Sequence, residues 1–228
     1  KPVVYESPKI NSIADEFVHD IEVTLSVGSD ALDIYYWVIP ESQKVVGGYG
    51  IKPMLYTSPF RIQGTSTVIA QCFDGEKPVS QQVSKEFMKV TPMKATIDTP
   101  ASIGKLSLMV YKGEWDEMPN FEHLSTTHTS EVSQISEIPE AEFEGRVYEG
   151  LIHINQDDLY VFGLTSDDGS ILYINELLVV DNNGLHGSQE RRGTIPLAAG
   201  WHRIRIEWFN KAGGASLPRQ RATPLQRR

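Results

Sequence analysis

The sequence predicts an all-β chain built as two β-sandwich domains in series. Three observations carry that reading. Apolar and polar residues alternate with a period of two in one segment after another, most cleanly at 21–27, 105–112 and 201–209. Clusters of Gly, Pro, Asp, Asn and Ser separate these segments at short intervals. No window of helical period competes with them. The chain has 228 residues, room for two ordinary domains, and 40% hydrophobic residues, enough to fold.

Charge and cysteine content exclude several function classes. The chain carries 21 Lys and Arg against 30 Asp and Glu, a net charge of −9. Residues 1–90 hold 8 and 11 of these, and residues 91–228 hold 13 and 19. Both halves are therefore mildly acidic, which argues against nucleic acid or an anionic membrane surface as the main partner. No run reaches the ~18 apolar residues that span a bilayer. The lone Cys72 sits in the apolar run 68–73 and reads as a small buried hydrophobe, and no zinc spacing is present. The chain opens at Lys1 with neither Met nor an apolar signal segment, and so reads as a portion of a longer protein.

Residues 1–90 form the first predicted domain. Ile21, Val23, Leu25 and Val27 share one face of a strand, with Glu22, Thr24 and Ser26 on the other. Residues 32–38, 58–62, 65–73 and 79–90 supply further strands, and residues 41–53, with Gly47, Gly48 and Gly50, supply a long loop. Strands this short over about 90 residues fit a small sandwich. Alternation sets Tyr36 opposite Tyr35 and Trp37, so at most one side of that strand offers an aromatic surface.

Val23-Thr24-Leu25-Ser26, Ile34-Tyr35-Tyr36, Leu55-Tyr56-Thr57-Ser58-Pro59-Phe60 and the stretch from Ser66 through Gly75 to Ser84 resemble the chitobiase/β-hexosaminidase C-terminal domain. The resemblance spans nearly all of residues 8–88, but that family's signature turn after the Tyr36 position is absent. It implies an immunoglobulin-like module appended to glycoside hydrolases and not itself catalytic. Residues 91–103, with Pro92 and Pro100, read as a linker.

Residues 104–228 form the second predicted domain. Leu106, Leu108 and Val110 alternate against Ser107, Met109 and Tyr111. Residues 122–145 are polar and read as a long surface excursion. Strands return at 146–154, 159–164, 171–174 and 177–180, the last two joined by a two-residue turn at Asn175-Glu176. In residues 201–209, Arg203, Arg205 and Glu207 form a wet face against Ile204, Ile206 and Trp208. Trp115 reads as a core residue more readily than as a stacking platform for a sugar ring. His202, at a strand start, reads as structural.

The candidate site lies at Thr165-Ser166-Asp167-Asp168-Gly169-Ser170, between two apolar runs. This pattern predicts a strand, a turn and a strand, with Asp167 and Asp168 in a solvent-accessible loop. Adjacent carboxylates resist burial and keep water, an Arg or a cation beside them. Oxygen-only donors suit calcium. The alternative is that both residues merely cap backbone N–H groups of the turn. Because 171–174 and 177–180 pair as a hairpin, their far ends are neighbours. Residues 181–187 therefore join the pair, bringing Asn182, Asn183 and His186 into one patch. His186 has a second reading as an ordinary loop histidine.

Ser166-Asp167-Asp168-Gly169-Ser170 together with Gly150 and Ile152, Tyr160-Val161-Phe162, Leu172-Tyr173-Ile174, the run from Val179 to Gly187, Gly200-Trp201-His202, Arg205-Ile206-Glu207-Trp208-Phe209 and Gly213-Gly214 resemble the anthrax protective-antigen ("PA-fourteen") domain in order and spacing. The match covers roughly residues 104–217. It implies a β-sandwich found in glycosidases, adhesins and toxins, many of whose members bind carbohydrate. In the fungal adhesin branch an Asp-Asp pair joined by a cis peptide holds calcium, and the calcium holds sugar hydroxyls. Asp167 and Asp168 resemble that pair, and Asn182 or Asn183 is the nearest amide. The family closes with an alternating apolar strand. Residues 215–228 instead carry Pro218, Pro224 and four Arg, and predict no strand, an exposed sheet edge and an altered tail.

No nucleophile elbow or phosphate loop appears. A glycosidase carboxylate pair at ~5–10 Å would need a walled cleft that two small sandwiches scarcely provide. The sequence thus reads as a non-enzymatic, glycan-binding accessory region of a bacterial glycoside hydrolase that is secreted, periplasmic or at the cell surface. The first resemblance implies a β-N-acetylhexosaminidase and an upstream catalytic domain as partner. The alternatives are a structural spacer without its own ligand and an adhesin fragment.

Overall fold

The computed structural model describes residues 5–29, 31–44, 50–96, 104–135 and 141–225, with the side chains of 216–222 outside the description. The chain divides into two compact units, Lys1–Thr91 and Pro92–Arg228.

The first unit contains β1 (Lys9–Asn11), β2 (Glu16–Phe17), β3 (Ile21–Ser26), β4 (Asp33–Pro40), a one-turn helix α1 (Glu41–Lys44), β5 (Met54–Leu55), β6 (Phe60–Ile62), β7 (Ser66–Asp74), β8 (Lys77–Pro78) and β9 (Val83–Lys89). One sheet runs β1-β3-β6 and the other β2-β9-β7-β4-β5, with β8 paired to β7. The alternation read in 21–27 is physical: Ile21 and Val23 are fully buried and Leu25 nearly so, while Glu22 and Ser26 face water. Val68, Ala70 and Cys72 meet them from β7. Burial pushes the Cys72 thiol up, as expected for a packing residue rather than a nucleophile. Tyr36 turns inward and stacks on Phe60 at 4.2 Å between ring centroids.

The second unit contains β10 (Leu106–Lys112), a 3₁₀ turn (Phe121–His123), β11 (His128–Val132), β12 (Glu144–Ile154), β13 (Asp158–Asp167), β14 (Ser170–Ile174), β15 (Leu177–Asn182), β16 (Gln189–Leu197), β17 (Gly200–Asn210) and β18 (Ser216–Pro224). A six-stranded sheet runs β11-β10-β12-β17-β14-β15, and a three-stranded sheet runs β16-β13-β18. Their inner faces enclose a core in which Phe162, Leu164, Leu172, Ile174, Leu197 and Trp208 are fully buried. Each such side chain contributes about 1.5–3 kcal/mol. Asn175 and Glu176 both adopt positive φ, 48° and 70°, which is the tight hairpin turn that Asn favours.

Three features differ from the sequence expectation or add to it. First, the polar stretch 122–145 is not only an excursion, because β11 within it pairs antiparallel with β10. An edge strand exposes much of its surface, so its sequence need not alternate. Second, the tail does form a strand. β18 pairs with β13 from Asp167↔Ser216 to Tyr160↔Pro224. Proline lacks an N–H donor and is tolerated at sheet edges and irregularities. β18 is an edge strand, Pro218 falls where the register shifts opposite Ser166, and Pro224 ends the strand. Third, part of the expected linker belongs to the second unit. The Met93 N–H donates to the Pro196 carbonyl and the Ala198 N–H to the Met93 carbonyl, at 2.9 Å each. Residues 97–103 of that linker lie outside the described residues.

A buried charge cluster closes one end of the sandwich. Arg146 pairs with Glu144, and both are under 10% exposed. Lys112 Nζ reaches the second Glu144 oxygen at 2.8 Å. Burial raises the Glu144 pKa, but the hydrogen bonds and charges of Lys112 and Arg146 outweigh it and hold the carboxyl below its usual range. Among the described residues, no helix is long and apolar enough to cross a membrane.

Candidate functional site

Three loops meet at one end of the second unit. They are the β13–β14 connection, the loop that follows β15, and the turn after β17. β13 ends at Asp167, and the Asp167–Asp168 peptide is cis. β14 and β15 pair from Ile174↔Leu177 to Ser170↔Asn182, which sets residues 181–187 beside the Asp pair. β17 lies on the other side of β14, with Ser170 opposite Trp208, so the turn after Asn210 arrives at the same place.

Asp168 is the brace of this junction. Its Oδ1 accepts the backbone N–H of His186 and its Oδ2 accepts that of Lys211, both at 3.0 Å. One carboxylate thereby ties the other two loops together. It is 7% exposed, a correction to the open-loop expectation. The sequence could not show this, because one of the two N–H groups that draw it inward lies 43 residues away. Asp167 is half-buried. Its backbone carbonyl accepts from Trp208 Nε1 at 3.1 Å. Burial and the adjacent Asp168 charge push the Asp167 carboxyl up, and His186 offsets part of that rise.

Gly169 is required by close approach. A Cβ there would stand 2.5 Å from a ring carbon of Phe209 and 3.0 Å from both the N and the O of Gly184. Gly184 itself sits at φ +104°. Gly214 lies against the pair from the third loop, its Cβ position 3.5 Å from Asp167 Oδ2.

Asn182 is 1% exposed. Its Nδ2 donates to the Ser166 hydroxyl at 3.1 Å and the Gln189 carbonyl at 3.2 Å. The carbonyl can only accept, so this contact fixes which end of the amide carries the N–H groups. Ser166 in turn shares a 2.6 Å hydrogen bond with Ser170. Asn182 Oδ1 is buried without a hydrogen-bond partner. A buried amide oxygen left unmet costs about 1–3 kcal/mol.

The other two predicted residues are spent on the loop. Asn183 Oδ1 accepts the N–H groups of Met118, at 2.7 Å, and Gly184, at 2.8 Å. The His186 ring nitrogens face the carbonyls of Gly187, at 2.9 Å, and Asn182, at 3.0 Å. Both residues shape the site rather than offering free donors. His202 is structural: its Nε2 donates to the Ala198 carbonyl, and its Nδ1 accepts from Asn175 Nδ2, both at 2.8 Å. Trp115 packs edge-on against Phe121, centroids 6.1 Å apart. Sequence reasoning missed roles for Ser166, Ser170, Trp208 and the Lys211 backbone, although the first two stand on either side of the Asp pair.

Calcium accepts six to eight oxygens, including amide and backbone carbonyls, and tolerates irregular geometry. The junction supplies two adjacent carboxylates and an amide oxygen with an unmet lone pair, which fits that ion. Among the described residues, no three His, Cys, Asp or Glu side chains gather as a metal-holding group.

Residues 123–225 match the family model of the PA14 domain, so the second unit carries that domain. No curated protein matches the chain. Among solved structures, the chain is similar to the PA14 domain of the antifreeze protein MpAFP, at 18% identity and a TM-score of 0.47, covering 56% of this chain and 86% of that one. It is also similar to the PA14 sugar-binding domain of an RTX adhesin, at 16% identity and a TM-score of 0.37, covering 54% and 91%. A third likeness is to a β-glucosidase from Kluyveromyces marxianus, at 18% identity and a TM-score of 0.39, covering 54% of this chain and 18% of the enzyme.

Proposed function

We infer that the second unit is a non-catalytic carbohydrate-binding module that presents sugar hydroxyls to a calcium ion. Asp167 and Asp168 would hold the ion, with Asn182 Oδ1 as a further oxygen. The single observation that carries this reading is the buried Asn182 oxygen without a partner, on a side chain hydrogen-bonded to Ser166 next to the Asp pair, one of whose carboxyls is pushed up. A cation answers both: it meets the lone pair and neutralises the repulsion. Bound calcium would offer its remaining coordination positions to vicinal hydroxyls.

The PA14 domain supplies the context, since that of the RTX adhesin binds sugar. The resemblance of the first unit to the chitobiase/β-hexosaminidase C-terminal domain supports reading the chain as the accessory region of a glycoside hydrolase, a β-N-acetylhexosaminidase in the first instance. The catalytic domain would lie elsewhere in the parent protein, outside the cytoplasm or at the cell surface.

Calorimetric titration with calcium tests the ion. The wild-type chain is expected to bind at one site, and Asp167→Ala and Asp168→Ala are each expected to abolish the signal. No heat of binding in the wild type, with the folded state confirmed, would reduce the pair to loop-builders.

A further inference from the structure

The outer face of the six-stranded sheet holds a cleft of about 1050 Å³ that none of the chemistry above uses. Its floor is a row across three neighbouring strands. Glu149 of β12 stands opposite Arg205 of β17, and Arg205 stands opposite Tyr173 of β14. At 4.7–4.9 Å per strand this row spans roughly 10 Å. One step along, Glu207 stands opposite Ile171. One wall is the turn that begins at Met118, which Asn183 ties to the loop beside the Asp pair. The cleft therefore opens from the same corner as the proposed calcium site.

Its chemistry is specific. Arg205 is clamped between two carboxylates: it pairs with Glu149, and its Nε and Nη2 reach Glu207 Oε1 at 2.8 and 2.7 Å. The Glu207 side chain is only 12% exposed, so the clamp is partly desolvated and fixed in orientation. Planar groups locked this way match the paired hydroxyls of a sugar, while Tyr173 and Ile171 offer an apolar surface to its C–H face. Charge narrows the ligand further. Glu122, Glu149, Glu176 and Glu207 line the cleft against Arg203 and Arg205 alone. Such a surface disfavours uronates, sulfates and phosphates. The volume lies just above the usual range of small-molecule sites, ~300–1,000 Å³, which suits a chain more than a single ring.

We propose that this cleft is a calcium-independent subsite for a neutral oligosaccharide chain whose end is held at the Asp167–Asp168 junction. The proposal rests on the reading of this unit as a glycan binder and adds the substrate's form: several linked neutral sugars rather than one terminal residue.

The test is calorimetry and amide NMR on the full chain, with calcium and with chelator. The probes are neutral hexasaccharides of glucose, xylose, mannose, galactose and N-acetylglucosamine, their monosaccharides, an oligogalacturonate and a lysine-rich peptide. At least one neutral hexasaccharide is expected to bind about tenfold or more tightly than its monosaccharide, and to shift the amides of Tyr173 and Arg205. Tyr173→Ala is expected to remove that ratio while leaving calcium binding intact. Glu149→Gln, which keeps the shape of the floor, is expected to lower it. A ratio near one, a ratio unaffected by Tyr173→Ala, or binding of the peptide or oligogalacturonate in preference to every neutral chain would overturn the cleft assignment alone. A ratio that persists with no dependence on calcium anywhere would overturn the ion's role alone. No saccharide binding under either condition would overturn both.

Discussion

Removing the Asp168 carboxylate should unfasten the second unit even when no calcium is present. In Asp168→Ala the backbone N–H groups of His186 and Lys211 lose their acceptor in a region that is 7% exposed at Asp168. Hydrogen bonds to a charged group contribute about 1.5–3 kcal/mol each, so the gross loss is about 3–6 kcal/mol. Relief of repulsion with Asp167 and entry of water offset part of this, leaving a net loss on the order of 2–4 kcal/mol. For a unit of this size that lowers Tm by roughly 5–12 °C. Differential scanning calorimetry in chelator measures it. Asp167→Ala is the control, and its sign is opposite. A carboxyl pushed up in the folded state binds more protons there than in the unfolded chain. Stability then falls as pH rises through that window, and the ionised form costs stability at neutral pH. Asp167→Ala in chelator should therefore leave Tm unchanged or raise it. If Asp168→Ala melts with the wild type, or if the two variants lose stability equally, the division of labour between the two aspartates is wrong.

Two further outcomes follow from the packing and the charges. Gly169→Ala places a Cβ against Phe209 and the Gly184 backbone, should cost about 1–3 kcal/mol, and should weaken calcium binding more than it lowers Tm; unchanged calorimetry would refute the close approach. Because the folded pKa of Glu144 is depressed, its stabilisation is present above the usual carboxylate range and is lost as pH falls through the folded value. Glu144→Gln should therefore flatten the acid limb of the stability profile of the second unit, and an unchanged slope in urea titrations would refute it.

The sequence was informative where one strand face is buried and the other is wet. Ile21, Val23 and Leu25, or Ile204, Ile206 and Trp208, declare themselves because a pleated strand with one buried face must alternate. The Asn175-Glu176 turn was equally legible, since a two-residue hairpin leaves few choices. Edge strands were not. β11 shows no clean alternation because little of it is covered, and β18 was discounted for its prolines, which an edge and a register shift absorb. At the site, the hairpin was enough to bring Asp168 towards residues 181–187. The depth of Asp168 was not legible, because it depends on an N–H from the turn after β17. Nor was the unmet oxygen of Asn182, which exists only because Ser166 and Gln189 fix the amide from elsewhere in the fold.

A glycan array probed with the full chain, once in calcium and once in chelator, tests the central claim most directly. The expected result is retention on neutral glycans in calcium, its marked weakening in chelator or in Asp167→Ala with only longer neutral chains still held, and no response on sulfated or uronic glycans. Retention indifferent to both chelator and Asp167→Ala, or no retention by a chain shown to bind calcium, would contradict the account.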